Sequence, residues 1–120
     1  MLIKPHKKLN VWKKSINLIT EIYKITKSFP RYEQFGITAQ MRKSSLSVAS
    51  NIAEGAARQT KKEFIQFLHM AQGSLSELDT QLEVANNLRY LNKKDINELS
   101  SFLTEIGKMI TGLIKNLKKP

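Results

Sequence analysis

The polar side chains best placed to form a shared site lie in one segment, residues 40–58. Steps of four and three residues place six polar side chains along one line of an α-helix: Gln40, Ser44, Ser47, Asn51, Glu54 and Arg58. Short uncharged polar side chains such as Ser and Asn are costly inside a helix, and a solvated face usually carries Lys, Glu and Ala instead. The stripe therefore favours a hydrogen-bonded polar seam, within one bundle or between subunits, over an ordinary solvated face.

Two further expectations concern this seam. Glu54 and Arg58 are spaced for an i,i+4 ion pair in the favourable orientation. Glu77 and Gln81 are the candidates for the opposite side of the seam, or of an oligomer interface. Such a seam would set register and oligomeric state rather than perform a reaction.

Catalytic and metal chemistry finds little support in the sequence. A di-iron bundle needs two Glu-x-x-His pairs, and neither His6 nor His69 has an acid three residues before it. No serine lies in a Gly-x-Ser-x-Gly turn, no histidine is placed to activate Ser44 or Ser47, and the glycines are scattered. We therefore expect no enzymatic activity, no catalytic residue, no metal and no cofactor.

Composition indicates a soluble, basic protein. The 120 residues, 41% hydrophobic and 25% charged, suit one globular domain. Twenty Lys and Arg against ten Asp and Glu give a net charge of +10, which favours a polyanionic partner. The absence of cysteine, of a secretory segment and of a long apolar run predicts a cytoplasmic, bacterial-type protein.

Apolar residues recurring at three and four positions predict an all-α protein. Asn10 is a suitable N-cap, Pro30 ends the first helix, and Thr60 with Glu63 forms a capping box whose signal Asn92 repeats. The resulting single domain, residues 1–120, has a basic arm at 1–9 and helices at 10–28, 37–57, 61–91 and 93–118. Short connections between four helices favour an antiparallel up-down-up-down four-helix bundle.

Some apolar surface exceeds the needs of one core. Apolar residues cover about half the circumference of the first helix, and the third helix carries a second, mixed row beside its core stripe. These residues are Val11, Trp12, Ile16, Leu18, Ile19, Ile22, Tyr23 and Ile25, and then Met70, Glu77, Val84 and Leu88. We expect a homo-oligomer; the alternative is a monomer with a thick core.

The basic charge is uneven along the chain. Residues 1–43 carry ten Lys or Arg against two acids, a net of +8. The candidates for contact with nucleic-acid phosphates are Lys13, Lys24, Lys27, Arg42, Lys43 and Arg58, with a second row at Lys108, Lys115 and Lys119. In an oligomer such rows would combine into a larger positive surface. The alternative is that the lysines only keep the surface soluble; no membrane role is expected, because the apolar faces are committed to packing.

Five blocks resemble those of the family called 23S rRNA intervening-sequence proteins. In order along the chain they read LNVWK at 9–13, FPRYEQFG at 29–36, SNIAEG at 50–55, EFIQFL at 63–68 and AQGSLSEL at 71–78. The resemblance covers nearly the whole chain. It departs at residues 41–44, MRKS, where the family tends to have a second arginine and an alanine, and the basic character remains.

This resemblance implies a four-helix up-down bundle that assembles as a ring-like homopentamer. Family members are encoded in intervening sequences of bacterial large-subunit rRNA genes, and no enzymatic activity comes with them. Distant relatives serve diversity-generating retroelements, binding a reverse transcriptase and nucleic acid through a basic surface. We therefore expect a non-enzymatic oligomer that presents a basic surface to RNA or DNA, as an adaptor for a nucleic-acid-processing partner. The alternative is a structural or protein-interaction scaffold with no nucleic-acid role.

Overall fold

Four long helices make up most of the computed structural model, which describes residues 4–120. They are α1 (Asn10–Thr26), α2 (Ile37–Ala56), α3 (Lys61–Asn87) and α4 (Lys93–Leu117). Two short 3₁₀ turns, Pro5–Lys8 and Arg31–Glu33, precede α1 and α2. Residues 4–120 contain no strand, so the predicted all-α class is confirmed; the first three residues of the predicted basic arm lie outside the described residues.

Each helix packs against the next, and α4 returns to α1. The diagonal pairs, α1 with α3 and α2 with α4, have no Cα atoms within 8 Å of each other among the described residues, and they meet only through side chains in the core. The molecule measures 48 × 29 × 20 Å, and its centre is filled by the residues at three- and four-residue spacing. The largest fully buried apolar side chains are Leu18, Ile22, Met41, Val48, Ile52, Leu68, Leu78, Leu99, Ile106 and Ile110. This arrangement is that of a four-helix bundle.

Two of the three predicted N-cap residues are correct. The Thr60 hydroxyl accepts a hydrogen bond from the Glu63 backbone N–H at 3.1 Å and donates to the Glu63 carboxylate at 2.9 Å. The Asn92 side chain accepts from the Asp95 N–H at 2.8 Å. The predicted Asn10 cap is wrong: Asn10 is already helical, and Leu9 holds the N-cap position without a side-chain bond. The 3₁₀ turn that begins at Pro5 leads directly into α1 and replaces the cap.

The predicted end of α3 at residue 91 is also wrong, because α3 ends at Asn87. Arg89 adopts the left-handed conformation, with φ of 63°. The N–H groups of Arg89 and Tyr90 bond the carbonyls of Asn86 and Ala85 at 2.9 and 3.0 Å, which is a Schellman motif. Glycine usually occupies this position. Because arginine occupies it here, the sequence does not predict that the helix ends at this point.

Gly55 allows α2 and α3 to approach closely. A Cβ atom at Gly55 would lie 2.7 Å from the Phe67 Cβ and 2.9 Å from the Phe64 Cδ1. Real Cβ atoms do not come this close to other atoms, so the packing of α2 on these two rings requires glycine. In the described part of the chain no helix combines the length and apolar character needed to cross a membrane.

Candidate nucleic-acid interface

A basic groove lies where the end of α1 meets the start of α2. It has a volume of about 430 Å³ and is lined by Thr26, Lys27, Phe29, Pro30, Arg31, Gln34, Thr38 and Arg42. Three of these residues are cations, and none of the described residues that line the groove is a carboxylate. Arginine and lysine side chains without an acidic partner are suited to bind phosphate oxygens.

Arg42 is the oriented member of this groove. Its Nε donates to the Thr26 hydroxyl at 3.0 Å, and its guanidinium lies 4.5 Å from the centre of the Tyr23 ring. A longer bond, 3.5 Å, joins its Nη2 to the Tyr23 carbonyl oxygen. None of these partners carries a negative charge, so they fix the side chain without neutralising it.

Most of the positive charge of the surface has no acidic partner. All twenty Lys and Arg residues lie within residues 4–120, and only three of them make an ion pair there. These pairs are Lys14–Glu105 at 2.9 Å, Lys24–Glu21 at 3.7 Å and Lys94–Glu98 at 4.0 Å. The described surface therefore offers many cations to a polyanion.

The structure brings together only two of the six predicted phosphate-binding residues, Lys27 and Arg42. Lys13 and Lys43 are exposed elsewhere on α1 and α2, and Lys24 pairs with Glu21. The remaining one, Arg58, lies past the other end of α2 with its guanidinium 4.7 Å from the Phe67 ring centre.

Three polar groove residues were missed by the sequence analysis: Arg31, Gln34 and Thr38. The available signal was the arginine directly after Pro30, in the connection that brings α1 and α2 together. Of the second predicted row, Lys108 and Lys115 line a groove of about 950 Å³ between α3 and α4, beside Asp79. That groove is mixed in charge and less suited to phosphate.

Part of the polar stripe lies in the contact between α2 and α3. The hydroxyls of Ser47 and Ser74 are 2.9 Å apart, and the Asn51 amide donates to the Ser47 carbonyl and hydroxyl at 2.9 and 3.1 Å. Ser44 is buried in the same region. These short side chains hydrogen-bond where longer ones would separate the helices.

The rest of the stripe, Gln40, Glu54 and Arg58, is exposed, and so is Glu77, the candidate for the opposite side of the seam. The predicted Glu54–Arg58 ion pair is wrong, because α2 ends at Ala56 and the i,i+4 geometry does not extend to residue 58. Arg58 instead lies over the Phe67 ring. The Gln81 amide oxygen is buried and finds no hydrogen-bond partner within the described residues.

These features define a class: a basic four-helix bundle whose neighbouring helices run antiparallel. The family model described as 23S rRNA-intervening sequence protein matches residues 7–112, and the chain belongs to that family. It is also similar to the crystal structure of a protein of unknown function from the S23 ribosomal protein family of Bacteroides thetaiotaomicron. The two share 25% identity and a TM-score of 0.81, over 88% of this chain and 95% of that one. No curated protein matches the chain.

Proposed function

We propose that this protein binds RNA or DNA through its basic surface, with the α1–α2 groove as the principal phosphate site, and that it catalyses no reaction. The observation that carries this proposal is the groove itself, in which Lys27, Arg31 and Arg42 converge and the described lining includes no carboxylate. Contacts of this kind hold the phosphate backbone and read little sequence. The protein would then act as an adaptor for a nucleic-acid-processing partner such as a reverse transcriptase.

The groove can be tested by charge reversal. The double substitution Lys27→Glu and Arg31→Glu should weaken binding of duplex DNA or structured RNA by at least about tenfold at about 50 mM salt. It should also reduce the slope of log affinity against log salt by about two, because each lost phosphate contact removes about one. Fluorescence anisotropy titrations at several salt concentrations measure both quantities.

Lys61→Glu with Lys62→Glu is the matched control, since these exposed lysines at the start of α3 carry the same charge far from the groove. If both double variants weaken binding equally, the charge acts diffusely and the groove is not the site. Circular dichroism should show unchanged helix content in both variants.

We further propose that the protein is a homo-oligomer, with the pentamer implied by its family resemblance as the expected state. Exposed apolar side chains support this proposal, because a monomer gains nothing from them. They are Ile16 and Tyr23 on α1, Leu46 on α2, and Met70, Val84 and Leu88 on α3.

Substitutions at Glu54 and Asn51 distinguish an effect on oligomer assembly from an effect on the stability of the chain. Glu54→Ala should lower the oligomer mass while leaving chain stability nearly unchanged, because its exposed carboxylate makes no ion pair within residues 4–120. Asn51→Ala should cost about 1 kcal/mol of stability, because it removes the bonds to Ser47. Light scattering after size exclusion and urea unfolding measure the two effects, with the exposed Glu83→Ala as control. A Glu54→Ala protein of unchanged mass contradicts the seam as an interface.

The alternative is a scaffold that binds only proteins, and the exposed apolar side chains are the observation in its favour. One binding measurement distinguishes this scaffold from the nucleic-acid-binding protein proposed above. An intact oligomer that binds neither RNA nor DNA at about 50 mM salt, where phosphate contacts are strong, would establish the scaffold.

A further inference from the structure

The connection between α1 and α2 has a three-residue repeat. The N–H groups of Glu33, Gln34 and Gly36 donate to the carbonyls three residues earlier at 2.9, 3.1 and 2.9 Å. In such 3₁₀ geometry the side chains at i and i+3 lie one above the other. A Cβ atom at Gly36 would lie 2.5 Å from the Glu33 Oε1, so residues 33 and 36 lie on the same side of the connection.

This repeat gives the segment three distinct faces. Arg31 and Gln34 line the basic groove. Glu33 accepts a hydrogen bond from the Tyr90 hydroxyl at 2.8 Å. Tyr32 and Phe35 form the third face, 81% and 89% exposed. Two aromatic rings therefore stand in solvent, each one residue along the chain from a groove residue, Arg31 or Gln34.

The Tyr32 ring is positioned by a hydrogen bond of its hydroxyl group. Its hydroxyl lies 3.2 Å from the Tyr90 hydroxyl, and the Tyr90 ring packs 5.3 Å from the buried ring of Phe29. The hydrogen bonds with Tyr32 and Glu33 raise the pKa of Tyr90 above its ordinary value. The Tyr32 ring is thus oriented while most of its surface stays open, which lowers the entropy cost of binding on it.

Exposed aromatic rings beside cations are the combination that binds single-stranded nucleic acid, because unpaired bases stack on rings while phosphates bind the cations. A duplex keeps its base faces inside its own stack. The three cations of the adjoining groove, whose described lining includes no carboxylate, favour a polyanion as the occupant of this face.

We propose that the 31–36 segment binds single-stranded RNA or DNA, with unpaired bases stacked on Tyr32 and Phe35 and the adjoining phosphates in the groove of Lys27, Arg31 and Arg42. This inference rests on the proposed nucleic-acid function and specifies its substrate class. Tyr32 and Phe35 are uncharged, so a surface that binds nucleic acid only by electrostatic attraction would not require them.

The test uses the full chain and three fluorescent probes: oligo-U RNA and oligo-dT of about 12 nucleotides, and a DNA duplex of the same length. Tyr32→Ala and Phe35→Ala should each weaken single-strand binding by about five- to a hundredfold. Duplex binding and the salt slope should not change, because neither ring contacts a phosphate. A difference between the RNA and DNA strands identifies which of the two is preferred.

Three further variants act as controls. Tyr32→Phe and Phe35→Trp keep a ring at each position and should retain single-strand binding. Gln66→Ala removes an exposed side chain from α3 that belongs to neither proposed surface and should leave binding unchanged. Light scattering of every variant reports the oligomeric state.

Three outcomes would overturn the inference, and they differ in whether the proposed nucleic-acid function still stands. If the alanine variants bind single strands normally while Lys27→Glu with Arg31→Glu abolishes binding, stacking is wrong and the proposed function stands. If they lower the oligomer mass, the rings form an interface between copies. If the unmodified protein binds no probe at about 50 mM salt, the proposed function itself fails.

Discussion

The affinity of this protein for duplex DNA should fall steeply between about 50 and 200 mM salt. Each phosphate contact contributes about −0.9 to the slope of log affinity against log salt. One groove holds three cations, so a single engaged groove predicts a loss of about 40-fold over this range. Two grooves on neighbouring subunits predict a loss on the order of 10³.

The slope of log affinity against log salt therefore gives the number of grooves that bind one nucleic-acid molecule. It is measured by titrating a labelled duplex of about 30 base pairs, long enough to span two subunits, at four or more salt concentrations. A short duplex that reaches only one groove is the control and should show the shallower slope. A slope near zero on both lengths would contradict phosphate binding altogether.

Replacing Gly55 with alanine should lower the free energy of unfolding by about 1–3 kcal/mol. The new Cβ would meet Phe67 at 2.7 Å and Phe64 at 2.9 Å, so α2 and α3 must move apart or the rings must leave their positions. Gly55→Val adds two methyl groups at the same place and should destabilise the protein further.

Gly73→Ala is the matched control. Gly73 also lies within a helix, α3, but a Cβ there meets nothing within 4 Å. Alanine should raise stability by up to about 1 kcal/mol, because it is the better helix former. Urea unfolding of both variants gives the comparison; if the two substitutions change stability in the same direction, close packing at Gly55 is not what requires glycine.

Much of the fold could be predicted from local patterns. Thr60 and Asn92 bond the backbone of their own first turn, so their capping roles depend on residues only three positions away. The core positions follow from periodicity, because a helix repeats every 3.6 residues wherever it is placed. The sequence does not indicate where α3 ends, because the residue in the left-handed conformation is Arg89 rather than the usual glycine.

The candidate site was harder to predict because its members come from different elements. Lys27 and Arg42 were chosen for their charge, yet their neighbour Arg31 was not. The Glu54–Arg58 pair assumed a helix that continues beyond residue 56. Two of the three ion pairs, Lys24–Glu21 and Lys94–Glu98, have helical spacing. Whether another cation pairs with an acid, stacks on a ring or stays free depends on what packs beside it.

By itself the sequence determined the helical class, three of the four helix lengths to within about two residues, and the excess of positive charge. These follow from composition and from interactions within a few residues of each other. Only the tertiary structure decided that Arg31 joins Lys27 and Arg42, and that Tyr32 and Phe35 stand exposed beside them. The reason is that the path of the chain from α1 to α2 is set by how those helices pack together.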